Sequence, residues 1–382
     1  MATAVDPPAQ RPGWPRRLID AAQRWRDNRV ADPAFQAWAT RFPLTRRIAN
    51  RQGAALYDLV AGFVYSQVLY ACVELDVFRM LRDGPQDVAT IAARVNLPVE
   101  AAERLLQAAA SVDLLKRRGA GRFGLGPLGA ALLGAPGVEE MVRHHPMFYR
   151  DLEDPVALLT APKGSTQLAQ FWSYVDGDAP DPAQAAQYSQ LMAVSQAMVA
   201  AETLAVHPLK AVTQLMDVGG GEGAFLSAAL KATPGLTGTV FDLPEVAARA
   251  NRALAAQGLS DRGRAEGGSF KDQDLPRGAD AISLVRVLYD HDTPVVQALL
   301  KSVFHALPSG GTLLLSEPMS GGDRPSRSGD AYFGLYTAAM TSGTPRSVAT
   351  HSALLAEAGF RGIRAIPPRQ GFITRVISAQ RP

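Results

Sequence analysis

Apolar residues recur along this chain in two rhythms, one before and one after about residue 210. In the earlier stretch they fall at helical spacing. Asp87-Val88-Ala89-Thr90-Ile91-Ala92-Ala93-Arg94-Val95 predicts a helix, which Asn96-Leu97-Pro98 ends. Pro98 then starts a second helix, over about residues 99–115, because its fixed φ suits the first helical turn and its missing N–H is not needed there. Lys116-Arg117-Arg118-Gly119-Ala120-Gly121-Arg122-Phe123-Gly124-Leu125 predicts a short hairpin with a glycine-rich tip, so that helix, turn, helix and hairpin together form a winged-helix pattern. From about Lys210 strands alternate with helices: 212–218 as strand, 224–232 as helix, 238–242 as strand, and onward to the end. That order predicts an α/β domain with a mostly parallel sheet and right-handed crossovers, whose ligand binds beyond the carboxyl ends of the strands. The tail, helix 351–359, strand 363–366, Pro367-Pro368 and strand 372–378, predicts a reversed final strand.

Three regions follow: an arm over residues 1–53, a helical winged-helix domain over 54–180, and an α/β domain over 181–382, with a change of composition near residues 179–182. A winged helix can read DNA, but the second helix opens on Glu100-Ala101-Ala102-Glu103, whose carboxylates would face phosphates unfavourably. A dimerisation and substrate-lid role fits better, without nucleic acid. The apolar run 59–73 contains Ser66 and Gln67, lies between Asp58 and Glu74, and falls short of the roughly 20 apolar residues of a spanning helix. It predicts a buried helix of a soluble domain.

Composition adds a charge asymmetry. The 382 residues carry a net charge of only +3, yet residues 1–53 hold ten arginines, no lysine and four aspartates, with Trp14, Trp25 and Trp38 among them. Arginine mixed with tryptophan suits either an anionic bilayer surface or a partner subunit. The lone Cys72 cannot form an internal disulfide, and no basic start, apolar run and cleavage site combine into a secretory signal; both features predict a cytoplasmic protein.

The chemistry gathers at Asp217-Val218-Gly219-Gly220-Gly221-Glu222-Gly223, where a strand turns into a helix and side chains would block the close approach of a nucleotide. Asp242, ending the next strand, can accept both hydrogen bonds of a ribose diol. Gly219-x-Gly221-x-x-Ala224 also satisfies the looser dinucleotide fingerprint. Asp217 and Glu222, however, would repel a pyrophosphate and attract the ammonium and sulfonium of S-adenosylmethionine.

These segments, with Phe241-Asp242-Leu243-Pro244, Gly267-Gly268-Ser269-Phe270, Arg286-Val287-Leu288-Tyr289-Asp290-His291-Asp292, Ala306-Leu307-Pro308-Ser309-Gly310-Gly311 and Ala358-Gly359-Phe360, resemble the successive motifs of the acetylserotonin and caffeate type O-methyltransferases. The resemblance covers about residues 54–378. It implies a Rossmann-like class I methyltransferase sheet behind a winged-helix dimerisation domain, a homodimer, and S-adenosylmethionine as cofactor. By position, Gly219 and Asp242 inherit cofactor contacts, and Ser269 and Phe270 stand where the family has Asp-Met beside the adenine. Asp217, Gly221, Leu243 and Arg286 complete the expected cofactor-binding set. Arg41-Phe42-Pro43-Leu44-Thr45-Arg46-Arg47, residues 58–67 and Phe148-Tyr149-Arg150-Asp151-Leu152 are similar to the branch of the family that methylates a tertiary C-1 hydroxyl of an acyclic carotenoid; a branch acting on a bacteriochlorophyll-type ring is the alternative. A hydrophobic acceptor would be taken from a membrane surface, with the arm as a peripheral contact on its inner face.

The family's proton acceptor is a histidine in Leu-His-Asp-Trp, where this chain has Tyr289 at the histidine, Asp290, and His291 at the tryptophan. A phenol with a pKa of ~10 is a poor base at neutral pH, and an imidazole near ~6.5 is well matched. Either His291 takes over, or no strong base is used and Tyr289 orients the hydroxyl. Glu317 falls where the family has a glutamate that holds the histidine; it could pair with His291 or Tyr289, or be satisfied by Arg346. Pro345 replaces the family's second glutamate, which disfavours a phenol acceptor. His144 and His145 are adjacent, which does not suit chelation, and no metal is expected. The stretch 188–206, with Met192 and Met198, suits either core or a polyene channel.

Overall fold

The structure, a computed structural model, describes residues 14–135, 137–173 and 195–382. The composition change at 179–182 and the part of the 188–206 stretch before Ser195, Met192 included, lie outside them. The described chain divides by its contacts into residues 1–71 and 72–382.

In the second unit the sheet comprises β4 (Gln214–Val218), β5 (Thr237–Asp242), β6 (Gly263–Gly267), β7 (Ala281–Val285), β8 (Thr312–Glu317), β9 (Arg361–Ile366) and β10 (Arg375–Gln380), in the order β6-β5-β4-β7-β8-β10-β9. The first five strands are mutually parallel, and β10 inserts antiparallel between β8 and β9. The expected reversed strand is therefore present, three residues later than predicted at its start: pairing with β8 begins at Arg375, opposite Glu317, and Phe372 is exposed. Strands covered on both faces read as continuous apolar runs, and β7 is buried throughout. Met216, Val218, Ile282 and Leu284 point into one core, beneath the helices Thr293–Ala306 and Val348–Glu357. Leu215, Ala281 and Val285 point into the other, beneath Ala224–Ala232 and Pro244–Ala256.

Before this sheet, Asp87 caps the helix Val88–Val95 by accepting the Thr90 N–H at 2.9 Å, and Asn96 ends it in the left-handed region at φ 54°. The helix Val99–Ser111 follows, then β2 (Leu115–Arg117) and β3 (Arg122–Leu125) as a hairpin. The predicted order of helix, turn, helix and hairpin is present. In addition, β1 (Gln86–Asp87) pairs with β3 and completes a three-stranded sheet.

In the first unit, Asp32 caps Pro33–Arg41, and the helix Pro43–Glu74 runs for 32 residues across the unit boundary. Here the structure corrects the sequence reading. The 59–73 run was expected to be buried, but only Cys72 and Val73 are, and Leu56, Tyr57, Leu59, Val60, Phe63 and Val64 are exposed. The run also belongs to a helix that is long and apolar enough to cross a membrane by length and composition. Its exposed residues repeat at helical spacing as a stripe, the pattern of a surface that receives a second molecule rather than a face of this chain's own core. Burial pushes the Cys72 thiol up to about 12.

Candidate active site

The cofactor-facing side is made largely of backbone. As β4 ends, Gly219 turns to φ +67° and donates its N–H to Phe241 O at 2.8 Å; a side chain there would press on Val287 at 2.9 Å. Gly221, at φ +58°, faces open space and donates its N–H to Asp242 Oδ2 at 2.8 Å. Asp242 Oδ1 accepts the N–H of Leu243, also at 2.8 Å. Each Asp242 oxygen thus takes one backbone donor at the rim of the turn. Beneath Gly220 lies Asp217, fully buried, with Oδ1 held by Ser283 at 2.6 Å and Oδ2 without a partner. Burial pushes its carboxyl up to about 7, against the Ser283 hydrogen bond. An orphaned carboxylate oxygen under an open glycine turn fits a positively charged donor and opposes a pyrophosphate. Glu222 is engaged by Arg249 at 3.3 Å. Ser269 Oγ closes its own turn on the Lys271 N–H, while Phe270 offers its ring as an apolar wall.

The opposite side is built from side chains around the turn after β7. Arg286 takes φ +57° and donates its backbone N–H to Ser316 O. Its guanidinium reaches Tyr289 Oη at 3.2 Å and Ser195 Oγ at 3.3 Å. Tyr289 is buried, which raises its phenol pKa against the opposing pull of Arg286. The neighbouring Asp290 is also pushed up by burial, to about 7. Glu317 accepts the N–H groups of Val287 and Leu288 at 2.9 and 2.8 Å, and that of Tyr289 at 3.4 Å. Burial pushes Glu317 up to about 8 despite those bonds. Arg346 grips the other edge of the turn through Leu288 O and His291 O, both at 2.8 Å. Glu317 and Arg346, considered as partners from sequence, thus meet through the turn they both hold, and Glu317 takes the Tyr289 backbone rather than its phenol.

Among the predicted proton-handling residues, Tyr289 and His291 have different surroundings. The Tyr289 ring lies edge-on to Phe333 at 6.0 Å, and the His291 ring edge-on to Phe270 at 5.4 Å, on the loop after β6. Sequence reasoning missed a third group. His144 and His145, on the helix Val138–Asp151, place Nε2 2.9 Å from Tyr336 Oη and Tyr332 Oη respectively. Tyr332 ends a π-helical turn, Arg327–Tyr332, and Tyr336 follows one turn later in Phe333–Met340. The only signal was that i, i+4 pair of tyrosines, since adjacency argued against a metal and nothing local tied the histidines to residues nearly two hundred positions away.

A model of the O-methyltransferase dimerisation domain matches residues 57–135, and a model of the O-methyltransferase domain matches residues 149–361. The chain belongs to the O-methyltransferase family. This methyltransferase is 49% identical to the demethylspheroidene O-methyltransferase of Cereibacter sphaeroides, over 91% of this chain and 92% of that one. It is 46% identical to the enzyme of the same name from Rhodobacter capsulatus, over 89% and 85% of the two chains. Human N-acetylserotonin methyltransferase, solved in complex with S-adenosylmethionine, superimposes with a TM-score of 0.71 at 26% identity, covering 86% of this chain and 97% of that one. The methyltransferase is accordingly S-adenosylmethionine-dependent, with a class I Rossmann-like sheet, and its dimerisation domain makes it a homodimer acting on a small molecule. The dinucleotide-binding and DNA-binding readings fall away. Neither family model reaches residues 1–56.

Proposed function

We propose that this methyltransferase transfers a methyl group to a hydroxyl of a hydrophobic carotenoid, the tertiary C-1 hydroxyl of a demethylspheroidene-type acceptor. The observation that carries the reading is the near-full-length likeness to two demethylspheroidene O-methyltransferases, against 33% identity to the mouse acetylserotonin enzyme. The acceptor side supports it. A phenol acceptor depends on a histidine base at the position where Tyr289 is buried, whereas an aliphatic alcohol depends more on placement than on early proton loss.

In this proposal S-adenosylmethionine supplies an electrophilic methyl group when bound. Asp242 accepts from its ribose, Gly219 and Gly221 let its backbone-hugging portion approach, and Asp217 favours its positive charge. Leu243, Ser269 and Phe270 border the adenine. Arg286 and Tyr289 shape the acceptor end, while Glu317 and Arg346 hold the turn that carries them.

The arm supports a peripheral contact with an anionic membrane on the cytoplasmic face. In Trp14–Ala31, Leu18, Ala21, Ala22 and Trp25 share one helical face, flanked by Arg17 and Arg26; Leu18 and Trp25 are exposed. The test is incubation of the enzyme with a demethylspheroidene-containing lipid extract and isotopically labelled S-adenosylmethionine. One carotenoid product carrying one labelled methyl is expected, and a label found only on pigment rings would overturn the reading. For the arm, removal of residues 1–41 should abolish co-sedimentation with phosphatidylglycerol vesicles, and unchanged sedimentation would count against a membrane role.

A further inference from the structure

The position that carries the family's base holds a phenol that cannot take a proton easily, because Tyr289 is buried and its Oη accepts from Arg286. His291 is turned to Phe270. Two imidazoles remain on the same side as Tyr289. Phe333 connects them to it: its ring lies 6.0 Å from Tyr289 and 5.0 Å from Tyr332, and Tyr332 stacks on Tyr336 at 5.9 Å. The inner pair, His144 with Tyr336, is closed off, both residues being buried, with Phe171 against the imidazole at 4.9 Å. The outer pair, His145 with Tyr332, is only half-buried.

We propose that Tyr332, backed by His145, receives the acceptor hydroxyl. Tyr332 Oη accepts the O–H of the acceptor, and its own proton is directed at His145 Nε2, with the imidazole proton on Nδ1. As the reaction proceeds, the acceptor oxygen bonds to the donor's methyl carbon and the carbon–sulfur bond breaks with its electron pair going to sulfur. The acceptor's proton moves to Tyr332 while the proton of Tyr332 moves to His145, and the imidazolium then releases it to solvent. Burial lowers the His145 pKa, so the ring is neutral and able to accept at neutral pH, and the nearby Arg286 charge stabilises negative charge on Tyr332. Tyr332 is the group in contact with substrate; His145 is a positioning residue that acts through it. The arrangement assigns a function to a histidine that neither the glycine turn nor the turn after β7 explains.

This inference rests on the reading of the acceptor as a carotenoid alcohol. The test compares full-length wild type with His145→Gln, which keeps a hydrogen-bonding partner for Tyr332, and with Tyr332→Phe, in steady-state methyl transfer to that alcohol. In both variants kcat should fall about 100-fold, in the range of a lost acid–base group, with KM for both substrates within about threefold. Added imidazole should restore turnover to His145→Gly. Undiminished kcat in His145→Gln overturns the proposal, as does a kcat loss that tracks melting temperature and that imidazole does not relieve. A wild-type enzyme that does not turn over the carotenoid alcohol overturns the substrate reading and this proposal with it. Active wild type with equally active variants overturns this proposal alone.

Discussion

The two sides of the active site are built by different means. The cofactor side is almost entirely local backbone: Gly219, Gly221 and the carboxylate of Asp242 close one turn within two consecutive strands. The proposed acceptor side is assembled from distant side chains, with Arg286 and Tyr289 on one turn, Glu317 and Arg346 holding it, and His145 and Tyr332 meeting from separate helices. A backbone turn tolerates almost no change, because a side chain at Gly219 would strike Val287. A wall of side chains can exchange a histidine for a tyrosine and recruit a replacement elsewhere. A family built this way keeps one donor and changes its acceptors.

The comparison breaks most readily at Glu317. Its replacement by alanine leaves the buried N–H groups of Val287, Leu288 and Tyr289 unpaired, and should cost ~3–5 kcal/mol of stability and most of the activity. Glu317→Gln keeps an acceptor oxygen and should melt much nearer to wild type. Equal melting of the two variants would mean that the turn is not held through those N–H groups. Asp242→Ala should act on binding instead, weakening S-adenosylmethionine by ~30- to 100-fold, or ~2–3 kcal/mol, in calorimetry. A larger effect on melting than on affinity would erase the distinction between the two sides.

Asp217 sharpens the contrast through pH. Its folded pKa of about 7 lies above the unfolded carboxylate value, so the native state holds a proton that the unfolded chain releases. Its contribution is complete below the unfolded pKa and is lost as pH rises through about 7. Wild type should therefore lose melting temperature relative to Asp217→Asn between pH 5 and pH 8 by a few degrees, and bound S-adenosylmethionine, whose positive charge favours the carboxylate, should narrow that gap. A gap that does not change with pH would show Asp217 to be ionised throughout.

The same division explains what the sequence revealed. The alternation of strands and helices, the reversed β10 and the glycine turn were legible because period, glycine placement and a strand-end aspartate are short-range signals. The π-helical turn that places Tyr332, and the pairing of His145 with it, depend on packing between elements far apart in the chain and left no local trace beyond the i, i+4 spacing of Tyr332 and Tyr336. The exposed stripe on Pro43–Glu74 was misread for a related reason: an exposed apolar face has the composition of a core face, and only the fold shows that it is exposed among the described residues.

The smallest effect is expected at His291, and it separates two readings of the turn after β7. If His291 were the proton acceptor, His291→Ala would lower kcat by orders of magnitude, as loss of a general base does. Its ring instead packs against Phe270 at 5.4 Å, on the loop proposed to border the adenine, and its carbonyl is held by Arg346 independently of the side chain. Removing the imidazole therefore takes away an edge-to-face contact worth ~0.5–1.5 kcal/mol and leaves the turn in place. The expected result is an S-adenosylmethionine KM raised ~2- to 10-fold with kcat nearly unchanged, measured at saturating acceptor. A collapse of kcat with KM intact would move the base to His291 and make the acceptor side as local as the cofactor side.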